Sequence, residues 1–107
     1  MTFTCFDCNA IPEERKNKIL SDIVLLILRF NDDEKPIWYS KIKDTFVPVS
    51  MTRNEFDCMF TYLEDMRWIY RQPGSLGEGR AGFRWYINEI YLPGVRAEIK
   101  RKGIEWK

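Results

Sequence analysis

The apolar positions change period along this chain, and each change marks an element. From Phe56 onward, Met59, Phe60, Leu63 and Met66 recur at three-to-four spacing and form one stripe of a helix. The stretch Met51-Thr52-Arg53-Asn54-Glu55-Phe56 holds every part of a capping box with a hydrophobic staple. Thr52 can accept from the Glu55 amide, Glu55 can reach back to the Thr52 amide, and Met51 can pack on Phe56, so a helix is expected from Thr52 to Met66. The period then shortens to two in Arg67-Trp68-Ile69-Tyr70-Arg71, which predicts a strand directly after the helix.

Upstream, Pro12 with Glu13 and Glu14 opens a helix that Asn31-Asp32-Asp33 closes near Phe30. Ile19, Leu20, Ile23, Val24, Leu26, Ile27 and Phe30 share one broad face of it. Leu25 and Leu28 fall outside, leaving a narrow polar strip of Arg15, Lys18, Asp22 and Arg29. Such a helix suits the centre of a core, and its surplus leucines would also suit a homodimer contact. Pro36-Ile37-Trp38 can form only a short extended piece. Tyr39 to Phe46 reads as a short helix with Ile42 and Phe46 inward, ended by Pro48.

The Gly-rich run 72–82 lacks the GK[ST] ending of a phosphate loop and precedes no capped helix, so it is expected to be a flexible hairpin tip. In 83–92 strand alternation at Phe83, Trp85 and Ile87 competes with a helical face of Phe83, Ile87, Ile90 and Tyr91, and strand is preferred. Pro93-Gly94 then reads as a turn, with Val95, Ala97 and Ile99 alternating after it.

Composition narrows the class. A chain of 107 residues, 45% apolar and 15% aromatic, supports one cored domain, placed at 12–107 behind an arm at 1–11. The longest apolar run, Ile23 to Leu28, is too short for a membrane span, and three cysteines without a charged-then-apolar leader suggest a cytoplasmic protein. The arm contains Cys5-Phe-Asp-Cys8. An inert segment, a metal site completed by Cys58 or a second chain, and a redox pair all fit that spacing, but the chain has no histidine to help build a zinc site. Charge is asymmetric: residues 1–66 carry 8 Lys/Arg against 12 Asp/Glu, and residues 67–107 carry 9 against 4. The positive field lies at the C-terminal end, where it would attract nucleic acid or an acidic protein.

The order helix, short extended piece, helix, capped helix, strand, Gly-rich loop, strand resembles the winged helix-turn-helix family over residues 12–107. Ile99-Lys-Arg-Lys102-Gly103-Ile104-Glu105-Trp106 is similar to the ending of many small bacterial and phage members, in which the last wing strand passes into a short helix. Asn54-Glu-Phe56 through Trp68-Ile69 looks like the family's third helix and following strand. The resemblance implies an α+β fold: a winged helix with a three-helix core and a small antiparallel β-hairpin wing. It implies a transcriptional regulator, of bacterial, archaeal or phage type, that binds double-stranded DNA and needs no cofactor or metal.

On that reading Arg53, Asn54 and Thr61 meet DNA from the third helix, while Arg71, Arg80 and Arg84 on the wing meet phosphates or the minor groove. Two departures stand out. Lys100 occupies a position where the family often has a helix-capping threonine, and the presumed recognition helix sets one base, Arg53, against Glu55, Asp57, Glu64 and Asp65. The alternative is a protein-protein interaction module using Trp68, Tyr70, Trp85, Tyr86, Tyr91 and Trp106. An enzyme is not expected, because there is no histidine, no serine or cysteine beside an evident base, and no carboxylate pair with suggestive spacing.

Overall fold

A computed structural model describes residues 10–88, 90, 93, 94, 97 and 101. Its elements are α1 (Glu13–Asp32), α2 (Tyr39–Phe46), α3 (Arg53–Asp65), β1 (Ile69–Gly77) and β2 (Arg80–Ile87), the two strands forming one antiparallel hairpin. This is an α+β fold with a three-helix core and a hairpin wing. The expected helix from Thr52 is present with its full capping box: the Glu55 amide donates to Thr52 Oγ1 at 3.1 Å and the Thr52 amide to Glu55 Oε1 at 2.9 Å.

Several expectations from the sequence are corrected. The first helix runs two residues past Phe30, because Asn31 serves the sheet rather than stopping the helix: its Nδ2 donates to the Trp85 carbonyl at 3.2 Å and its Oδ1 accepts from the Ile87 amide at 2.9 Å. Both α1 and α3 end instead in a residue of left-handed conformation, Glu34 (φ 58°) and Arg67 (φ 64°). In each case the next amide reaches five residues back, Lys35 to Phe30 at 2.9 Å and Trp68 to Leu63 at 3.0 Å. These are Schellman ends made without glycine.

The Gly-rich run is mostly strand, and only Glu78 and Gly79 turn, both at positive φ as a two-residue hairpin of this twist requires. Two of its glycines leave room for neighbours. A Cβ on Gly82 would come within 2.9 Å of Leu76 Cδ1, and one on Gly74 within 3.3 Å of Arg84 Cδ. Pro93, Gly94 and Ala97 are helical rather than a turn and a strand. Met66 caps α3 and is exposed.

The core joins α1 (Ile19, Ile23, Ile27), α2 (Ile42), α3 (Phe56, Phe60, Leu63) and the wing base (Ile69, Trp85, Ile87). Ile11, assigned above to the arm, belongs to it at 6% exposure. Leu28, expected outside the core face, is also buried at 2%, and Leu25 packs partly buried against the cluster. One chain therefore covers Leu28 fully and Leu25 in part. No helix among the described residues is long and apolar enough to cross a membrane.

The short piece before α2 makes one bond to the sheet, the Trp85 amide donating to the Ile37 carbonyl at 2.9 Å. Together with the two Asn31 bonds it fixes the base of the wing against α1 and the entry to α2, and the Asn88 amide closes the hairpin on the Trp68 carbonyl at 2.8 Å.

Candidate interaction groove

The capped start of α3 is held by a residue 40 positions away. Arg15 on α1 forms a bidentate pair with Glu55, Nε to Oε2 at 3.0 Å and Nη2 to Oε1 at 3.1 Å, and its Nη2 also reaches the Ser50 carbonyl at 2.8 Å. The Arg15 hydrogen bond, opposed by partial burial and helped by the Thr52 amide, holds the Glu55 carboxyl below its usual range. The sequence alone places Arg15 on a narrow polar strip of α1. No local pattern signals a partner so far along the chain.

Beyond this anchored start, α3 and the wing form the two walls of a groove of about 670 Å³. Asp57, Phe60, Thr61 and Glu64 line the helix side, Arg71, Phe83 and Trp85 the wing side, and Trp38 and Tyr39 close one end. Its rings are mutually braced. Phe60 meets Trp85 edge-on at 4.8 Å and Tyr39 at 5.2 Å, and stacks on Phe56 at 5.4 Å. The Tyr39 hydroxyl donates to Asp57 at 3.0 Å, and burial followed by that bond pushes the phenol up to about 12. It stays protonated at neutral pH, so Tyr39 remains a donor that fixes the Asp57 carboxylate.

The expected site residues divide among different surfaces. Arg53 is exposed at the start of α3, its Nε 3.7 Å from Asp57, with Asn54 half-buried beside it. Thr61 and Arg71 line the groove, the Arg71 guanidinium lying 4.8 Å over the Phe83 ring. The exposed Arg80 guanidinium lies 4.7 Å over Trp38. Arg84 points elsewhere. Neighbouring residues of a strand face opposite sides, so Arg84 lies behind Trp85. There its Nε donates to the Ser75 carbonyl at 2.6 Å, beside the stacked pair Tyr70 and Tyr86. The wing arginines thus do not form one cationic face.

The aromatic set also divides. Trp85 is buried and Trp68 half-buried against the core, so neither is a free anchor, and Tyr91 and Trp106 lie outside the described residues. Among the described residues, the rings that border open space are Tyr39 and Phe83 in the groove, Tyr70 behind the wing and Tyr62 on α3 away from the groove. Sequence reading missed Tyr39 and Phe83 as a site because α2 and β2 meet only in the fold.

Cys58 is buried and disulfide-bonded, which removes it as a metal ligand; the other two cysteines, Cys5 and Cys8, lie outside the described residues. No protein-family model matches the chain, nor does any curated protein or solved structure, so the functional reading rests on the geometry of the groove.

Proposed function

We propose that this domain is a winged-helix protein-interaction module whose binding surface is the groove between α3 and the wing. The observation that carries it is the lining: five aromatic rings, Trp38, Tyr39, Phe60, Phe83 and Trp85, around a cleft of about 670 Å³. Concave, ring-rich clefts with a few polar groups are the usual setting of binding anchors. The wall that a DNA-binding member would offer to the duplex carries Asp57 and Glu64 with Asp65 beyond, and carboxylates near phosphates oppose binding.

A second reading, duplex DNA, is supported by exposed Arg53, Arg71 and Arg80. A photo-reactive side chain placed at Thr61 in the full-length protein inside its native cell distinguishes the two. Cross-linked polypeptide that disappears with Phe83→Ser is expected. Adducts to DNA alone, together with retardation of random duplex at moderate salt, would replace the first reading with the second.

A further inference from the structure

We propose that the occupant of this groove is an extended peptide segment of a partner protein, which adds to the outer edge of β2 and sets a lysine or arginine side chain against Glu64. The proposal rests on the protein-binding reading and names the partner's chemistry. The edge comes first. The Trp85 amide donates to the Ile37 carbonyl and the Trp85 carbonyl accepts from Asn31, so alternate residues of β2 turn their backbone away from β1. Ala81 and Phe83 fall on the same side, and among the described residues nothing bonds their backbone there. A strand laid along them would follow on past the point where Trp38 turns the chain away into α2, gaining main-chain bonds whatever its sequence.

Charge then selects the side chain. Of the three charges lining the groove, Arg71 is stacked on Phe83, and Asp57 accepts from Tyr39 and faces Arg53 at 3.7 Å. Of these three, Glu64 alone has no side-chain partner among the described residues. An incoming ammonium or guanidinium would take Glu64 as its counter-ion with the Phe60 ring beside it, while Arg71 on the facing wall turns it toward α3. The rings accept cations in this fold already, Arg71 over Phe83 at 4.8 Å and Arg80 over Trp38 at 4.7 Å. An acidic segment would instead place its carboxylate against Glu64 and Asp57.

A phage-displayed library of unbiased linear peptides, panned on the whole protein, tests this. Peptides with a basic residue at a fixed distance from an apolar one should be enriched. Glu64→Gln, an exposed change that leaves the fold intact by circular dichroism, should weaken a selected peptide by about tenfold. Glu64→Lys should exchange the preference for an acidic residue. Methylating the peptide's backbone nitrogens on the strand-pairing side should abolish binding, and methylating the alternate ones should not. Selected peptides without a basic residue, or indifferent to Glu64→Gln, would overturn the charge assignment, and indifference to N-methylation would overturn edge addition. Enrichment of no peptide would overturn the whole proposal, yet polypeptide cross-linked at Thr61 would leave the protein-binding reading standing.

Discussion

The base of the wing and its outer half are the same two strands under different rules. At the base, Ile69, Trp85 and Ile87 are buried, Asn31 of α1 and Ile37 just before α2 bond to β2, and the Asn88 amide closes the hairpin on the Trp68 carbonyl. Further out, from Gln72 to Phe83, nearly every residue is exposed or half-exposed, and the ribbon is held by its own ladder and by Arg84 lying across Gly74. On the protein-binding reading proposed above, stability and binding would fall largely to different lengths of one hairpin, with Trp85 serving both, and the base fixes where the outer half stands over α3.

The largest effect that would test this division is Trp85→Ala. The side chain is buried, touches Phe60 at 4.8 Å, and belongs to the groove and the core at once. Its removal should cost about 3–5 kcal/mol in chemical denaturation. A loss under about 1 kcal/mol would mean that the base is not the pinned half.

Asn31→Ala comes next. It leaves the Ile87 amide and the Trp85 carbonyl without their side-chain partner, and a lost buried bond of this kind costs about 1–3 kcal/mol. Hydrogen exchange should show the Ile87 amide losing protection while the Gln72 amide, in the outer half, is unchanged. Equal change at both would merge the two regions.

Arg15→Ala sharpens the comparison from the helix side and should cost about 1–2 kcal/mol at neutral pH, since the pair is partly exposed. Its signature is in the pH dependence. Glu55 has a folded pKa below the usual 4.5, so its contribution is fully present above that value and is lost as pH falls through the folded pKa. The gap between wild type and Arg15→Ala should narrow as the solution is acidified below about 4.5. A gap that stays constant with pH would show that Arg15 acts through packing alone.

These residues also show what was legible in advance. The capped start of α3 could be read because both halves of its hydrogen-bonded box lie within four consecutive residues, and α2 because its apolar spacing and Pro48 are adjacent in sequence. Arg15 with Glu55 and Asn31 with Ile87 could not, since each joins residues that only the fold brings together. The helix ends at Glu34 and Arg67 were obscured for another reason: a left-handed terminus normally announces itself by glycine, and here the flanking hydrogen bonds hold charged residues in it. The wing glycines misled in the opposite way. They were read as turn-formers, whereas Gly74 and Gly82 lie in the strands where side chains cross closely, and only the tip uses glycine for its φ. The groove was half legible, for Thr61 and Arg71 were selected and Phe83 and Tyr39 were not.

The smallest expected effect on stability is also the most informative about function. Arg80 is exposed near the tip, its guanidinium over Trp38 and no carboxylate within ion-pair distance among the described residues. Arg80→Ala should therefore leave the denaturation midpoint within about 0.5 kcal/mol of wild type. Binding responds differently under the two readings. If duplex DNA is the ligand, the variant gives up one phosphate contact, and the slope of log affinity against log salt should fall by about one unit on every sequence tried. If a basic peptide lies along β2, the loss of a nearby positive charge should leave its affinity equal or improved, because Arg80 repels the same cation that Glu64 attracts. A reduced salt slope on DNA would return the wing to nucleic acid, and unchanged DNA retention with tighter peptide capture would leave the outer half to a protein partner.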